Sequence, residues 1–187
     1  FPYTTLFRSK AENYEGVLVQ IQDAVVTVPN VVLGQFEVEG GARVSDYFLF
    51  ELGQSPKPTM GQVYASITGP LLFADKQSLL VPRSLDDLDE GGGDTTGGSS
   101  TGDTTGGSST GSSSTTSDST TGEPPTGIYA VQQGFYNPGD VVVLEGVIAT
   151  TGLTFNKLGF FVQEPAGGPY SGIFIFNNKA VFNVVPG

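Results

Sequence analysis

Few side chains in this sequence could do chemistry. The chain has no His and no Cys, which removes imidazole bases, thiolate nucleophiles and Cys/His zinc sites together. Carboxylates remain. Glu37 and Glu39 flank Val38, and the two-residue period of a strand places both on one face. They could form a catalytic couple or a metal site, but charged residues are rarely buried, so a solvated sheet face is the expected reading. Ser66 stands in Ser-Ile-Thr-Gly, without the glycine frame of a nucleophile elbow or a histidine partner, and is expected to be an ordinary strand residue. The run Asp87-Leu88-Asp89-Glu90-Gly91-Gly92 opens like a calcium loop, but its fifth position is Gly91 and its twelfth is Gly98, where a bidentate Glu is required. A solubilising domain boundary is expected there, with weak calcium association as the minor option. No catalytic residue, metal site or cofactor is therefore expected, and the chain reads as non-enzymatic.

Binding chemistry has better candidates. Aromatic faces beside basic groups suit single-stranded nucleic acid, and Phe36, Arg43, Tyr47, Phe48 and Lys57 make up such a set, with Phe50 beside them. The same aromatics serve equally well as core. Glu37, Glu39, Asp46 and Glu51 are interleaved with them and oppose a phosphate backbone. Carbohydrate and protein are the other partner classes that exposed Tyr and Phe allow.

These residues must be held by strands. The 187-residue chain carries a net charge of −11, and the segment 84–125 accounts for most of it, with eight acids and no base. From Gly91 to Gly122 every residue is Gly, Ser, Thr or Asp, and Gly-Asp-Thr-Thr-Gly-Gly-Ser-Ser-Thr occurs at 93–101 and again at 102–110. Such a stretch has no apolar surface to offset the entropy of ordering. We expect a disordered linker over 89–125, spanning on the order of 30 Å as a Gly/Ser-type coil. Calcium-binding nonapeptide repeats need an apolar residue in each turn, which this repeat lacks. On both sides, β-branched and aromatic residues are broken by Gly, Pro and Asn at strand spacing. Apolar positions run 17, 19, 21 and then 24, 26, 28, a phase change that suggests a bulge bending one long strand. Gly69-Pro70 marks a second bend or an edge position. Runs such as Val141-Val142-Val143-Leu144 read as buried strands, and none approaches the length that crosses a bilayer.

The two sides also match each other. Tyr14–Val19 aligns with Leu144–Ala149, Leu33–Glu39 with Leu158–Glu164, and Gly40-Gly41 before Phe48-Leu49-Phe50 with Gly167-Gly168 before Phe174-Ile175-Phe176. Three matches in one order suggest a duplicated unit. The first copy continues through Gly61–Phe73 and Ser78–Val81, which would complete five strands. The expected fold is therefore all-β: a closed or partly closed five-stranded barrel over 11–88 and a truncated second β module over 126–187, the two tumbling independently. Two stacked sheets of seven strands, as in an immunoglobulin-like adhesin, are the architectural rival. Residues 1–10 are set apart, because Phe1–Ser9 is the translation of a common sequencing adapter. With the abrupt stop at Val185-Pro186-Gly187, the sequence reads as a fragment of a longer gene.

Tyr14-Glu15-Gly16-Val17-Leu18-Val19, Phe36-Glu37-Val38, Asp46-Tyr47, Ser66-Ile67-Thr68-Gly69 and Pro82-Arg83-Ser84-Leu85 resemble the OB-like domains of bacterial secreted proteins. Such domains accompany extracellular endonuclease/exonuclease/phosphatase-type nucleases and lamin-tail surface proteins. The stretch Gly139–Ile148, with Gly159–Pro165 and Ser171–Ile175, is similar to the related module that opens such architectures. The resemblance covers about 11–88 and 128–187 and implies an extracellular or cell-surface protein, in one form a lipoprotein. It leaves two functional expectations: non-catalytic binding or spacer modules, or the accessory region of a secreted nuclease whose catalytic domain lies outside this sequence.

Overall fold

The computed structural model describes residues 11–32, 34–74, 77–91, 125–154 and 159–176, with Val184 and Pro186. The adapter-like segment 1–10, most of the proposed linker, Gly98 of the calcium-loop comparison and Leu158 of the repeat fall outside them.

The described chain is mostly β, with five strands in a closed ring. The strands are β1 (Leu18–Val32), β2 (Gln35–Val38), β3 (Ala42–Ser45), β4 (Val63–Ala74) and β5 (Gln77–Leu80). They hydrogen-bond in the order β1-β2-β3-β5-β4, and a further β1–β4 pairing closes the circle. All pairings in the ring are antiparallel except β3–β5, where Arg43 faces Leu79 and Val44 faces Leu80 in parallel. No seven-stranded pair of sheets occurs among the described residues. A two-residue strand, β6 (Leu88–Asp89), adds to the outer edge of β4 at Ser66 and Ile67.

Two long strands make closure possible because each changes partner along its length. The first part of β1, from Leu18 to Val25, pairs with β4, and the part from Val26 onward pairs with β2. The change coincides with the phase shift in the apolar pattern: Ile21, Ala24 and Val26 are buried, while Asp23 between them has a φ of 51°, a left-handed value that Asp tolerates better than most residues. The irregular register lies further on, between Val26 and Val28 and between Val28 and Val32. It leaves Val28 39% exposed, although the alternation assigns that residue to the core. On β4 the change of partner falls at Gly69-Pro70, after which Leu71 pairs with Leu80. A side chain on Gly69 would overlap the Val81 carbonyl, so the crossing needs glycine.

The ring encloses one apolar cluster, with Ile21, Phe36, Leu49, Tyr64, Ile67 and Leu80 among its largest members. Phe36 and Tyr64 have ring centroids 6.0 Å apart. Leu49 comes from a short helix, α1 (Tyr47–Glu51), which corrects the expected third strand at Phe48-Leu49-Phe50. The strand is instead β3, directly after the Gly40-Gly41 turn. At 47–51 one helical turn drives Leu49 into the core and leaves Tyr47 and Phe50 outside, an arrangement that a two-residue period cannot give.

The second half has α2 (Gly127–Gln132) and a three-stranded antiparallel sheet, β7 (Ile148–Ala149), β8 (Gly159–Gln163) and β9 (Gly172–Phe176). Its order of consecutive antiparallel strands is that of β1-β2-β3. Most of the aligned glycines share a backbone state: Gly16 and Gly146 have φ of 77° and 70°, and Gly40, Gly41, Gly167 and Gly168 all have positive φ, whereas Gly34 has a φ of 74° and its counterpart Gly159 lies outside the left-handed region. Phe174-Ile175-Phe176 is strand where its aligned partner Phe48-Leu49-Phe50 is helix, so the third match pairs unlike elements. Val141-Val142-Val143-Leu144 is not a strand, and Val141 and Val143 are 91% and 73% exposed. By the alignment this run precedes β7 as Ala11–Tyr14 precedes β1; in the first half β1 then finds β4, and no such partner stands among the described residues of the second.

The halves do not stand apart, against the expectation of independent tumbling. The Leu18 amide donates to Gln163 Oε1 at 2.7 Å, the Tyr170 amide to the Asn13 carbonyl at 2.5 Å, and Arg83 Nη1 to the Thr150 carbonyl at 3.1 Å. Gly16 and Gly172 meet backbone to backbone, and a Cβ on Gly16 would lie 2.8 Å from the Ile173 nitrogen.

Candidate functional site

The chain from β3 into α1 forms one wall of a cleft of about 730 Å³. Tyr47 and Phe50 line it from the helix, Pro29 and Asn30 from β1, and Ser55-Pro56-Lys57-Pro58 from the loop that leads toward β4. Tyr47 is 44% and Phe50 64% exposed, so both offer ring area to a ligand. Phe36 reaches the floor but is 2% exposed; it is a core residue and presents no face for stacking. Lys57 is exposed on the rim.

The remaining candidates lie elsewhere. Arg43, on β3, donates to Gln77 Oε1 and lies 3.9 Å from the Glu37 carboxylate across the ladder, so its charge is partly answered within the sheet. Phe48 packs edge-on against Tyr47 with centroids 5.2 Å apart but does not line the cleft. The structure thus brings Tyr47, Lys57 and the buried Phe36 together and leaves Arg43 and Phe48 outside the group.

Asp46 is the residue the sequence reading undervalued. It immediately precedes α1 and its carbonyl accepts from the Phe50 amide at 2.7 Å, yet its side chain makes no capping hydrogen bond. Asp46 is 9% exposed, lines the cleft and packs on Gly34, where a Cβ would collide with the carboxylate. Its carboxylate has no hydrogen-bond donor among the described residues. An Asp just before an aromatic run was legible as a cap; its place against the cleft wall depends on Gly34, which has no Cβ to collide with it.

A second cleft of about 760 Å³ lies on the other side of the same loop and shares Pro56 and Lys57 with the first. Its walls are more polar: Gln20, Ser66 and Thr68 from β1 and β4, and Asp86, Asp89 and Glu90 after β5. Ser66 sits here on β4, opposite Asp89 of β6. Glu90 accepts from Gln62 Nε2 at 2.9 Å, and Asp89 from the Gly91 amide at 3.0 Å. Asp87, first acid of the calcium-like run, is taken up by Arg83, whose Nη2 and Nε reach the two carboxylate oxygens at 2.7 and 2.8 Å. No group of three or more possible metal ligands occurs among the described residues, and no described helix is long and apolar enough to cross a membrane.

The Arg83–Asp87 pair carries a pH prediction. Burial disfavours the Asp87 carboxylate, but hydrogen bonds from the Arg83 side chain and amide outweigh it and hold the carboxyl below its ordinary value. A carboxyl with a depressed folded-state pKa contributes stability above its unfolded pKa of about 4 and loses it as pH falls through the folded value. Urea midpoints of the native chain should therefore drop on acidification from about pH 5 to about pH 2, and Asp87→Asn should flatten part of that slope. Equal slopes in both proteins would refute the assignment.

Comparison with protein-family models, curated proteins and solved structures returns no match.

Proposed function

We propose that the chain is a non-catalytic binding unit of a secreted or surface-anchored bacterial protein, built on an OB-like barrel and a related, incomplete β module. The ring order β1-β2-β3-β5-β4 with β1–β4 closure is compatible with the five-stranded Greek-key barrel of that fold, which takes oligonucleotides and oligosaccharides on its strand 2–3 face and neighbouring loops. The Ser/Thr-rich stretch and the resemblance described above support the extracellular setting. The observation that carries the binding role is the cleft beside α1, where two exposed aromatic rings, prolines and a few polar groups converge on a rigid scaffold.

The alternative, an accessory region of a secreted nuclease that grips single strands, draws on Tyr47 and Lys57. Against it, Lys57 is the one base lining the cleft, beside Asp46 and Glu51.

Amide spectra of the intact chain, titrated separately with saccharides, peptides and oligo(dT), test the proposal. One class should shift Gln35, Tyr47, Phe50 and Lys57 together, and Phe50→Ala should weaken that binding about tenfold or more, the scale of an interface anchor, with an unchanged melting temperature because the ring is exposed. Silence of these resonances toward every class would defeat the binding role.

A further inference from the structure

We infer that the cleft beside α1 takes an extended basic polypeptide segment, with an arginine or lysine head on Asp46 and its aliphatic stem against Tyr47 and Phe50; this rests on the cleft being the binding site. Three observations lead there. First, Asp46 is 9% exposed on the cleft wall, and its carboxylate, which solvent still reaches, has no hydrogen-bond donor among the described residues; a ligand that covers it must bring a partner for the charge. A cation answers it fully, whereas a neutral hydroxyl supplies one weaker hydrogen bond.

Second, the surrounding charge has one sign. Glu51 shares the cleft, and Asp86, Asp89 and Glu90 line the neighbouring one across Pro56 and Lys57; Lys57 is the only base lining either. Five carboxylates against one ammonium repel nucleic acid and attract a polycation. Third, Tyr47 and Phe50 flank the carboxylate with exposed ring area, which suits both the stem of a long basic side chain and a cation over an aromatic face. The cleft volume of about 730 Å³ exceeds one side chain, and the shared Pro56-Lys57 rim leads into the second cleft, so the ligand is a chain.

The test is fluorescence anisotropy of the intact protein with a labelled decapeptide of alternating Arg and Gly, its counterpart with Gln for Arg, and, as unlabelled competitors, cellohexaose and oligo(dT). The Arg peptide should bind, and the Gln peptide should not. Asp46→Asn should weaken the Arg peptide at least about tenfold, as loss of one partner of a buried charge pair does. Glu145→Gln, the same charge change at an exposed site remote from the cleft, should leave affinity within about twofold. Phe50→Ala, at an exposed position, repeats the test should Asp46→Asn fail to fold. Equal losses in Asp46→Asn and Glu145→Gln, or equal binding of both peptides, would overturn the inference. If cellohexaose or oligo(dT) binds at Tyr47 and Phe50 and the Arg peptide does not, the ligand class is wrong while the binding unit stands; if nothing binds there, both readings fall.

Discussion

Gly172→Ala is expected to part the second half of the chain from the ring. A Cβ at this position would overlap the Gly16 carbonyl carbon and the Val17 amide nitrogen, and these are backbone atoms at the start of β1 that cannot rotate away. Overpacking typically costs about 1–3 kcal/mol even where side chains can adjust. A contact that consists of a few hydrogen bonds at Leu18, Tyr170 and Arg83 does not withstand that. Small-angle scattering should show a larger radius of gyration for the variant, and the Leu18 amide should lose its Gln163 partner, while the melting of the ring stays close to that of the parent. An unchanged scattering profile would mean that the two halves do not dock through Gly16 and Gly172. The reciprocal Gly16→Ala should act in the same direction with an added penalty, because its φ of 77° is one that L-residues disfavour by about 1–2 kcal/mol.

Ile67→Ala should destabilise the ring by about 2–5 kcal/mol, the usual range for emptying a fully buried aliphatic site. Ile67 is 0% exposed and stands opposite Ile21 on β1 and Leu88 on β6, at the point where the β1–β4 pairing closes the circle. Domains of this size hold roughly 5–15 kcal/mol in total, so the urea midpoint should fall by a large fraction while the slope of the transition is kept. Ile67→Val, which removes one methyl group, should cost about 0.5–1.5 kcal/mol. A loss under 1 kcal/mol for the alanine variant would show that Ile67 lies outside the cooperative core.

Much of the ring was legible because its determinants are local. The phase shift across Asp23 announced the bend in β1, and Gly69-Pro70 announced the change of partner in β4; both signals come from residues whose backbone preferences differ from their neighbours. The helix at Tyr47–Glu51 was not legible, since Tyr-Phe-Leu-Phe has strong strand propensity and only tertiary packing of Leu49 decides otherwise. Sorting Phe36 from Tyr47 failed for the same reason: both are aromatic and near the same turn, and burial is settled by which face each element turns inward. Arg43 was read as an available cation because the β2–β3 register, which sets it opposite Glu37, is invisible in one dimension. Contact between the halves was not legible, because Gly16 and Gly172 meet through main-chain atoms, and the Gln163 and Arg83 side chains that reach across find backbone partners whose position the sequence does not show.

The pairing of Leu18 with Pro70 also has a kinetic consequence. The C-terminal part of β1 meets β2 through a local hairpin, but the part from Leu18 to Val25 cannot find β4 until a long intervening stretch of chain has been gathered in, so the loop-closure entropy must be met before those contacts reward it. Refolding of this protein should therefore be slow for its size, and until β4 arrives the apolar face of β1 has only the short β2–β3 hairpin to cover it.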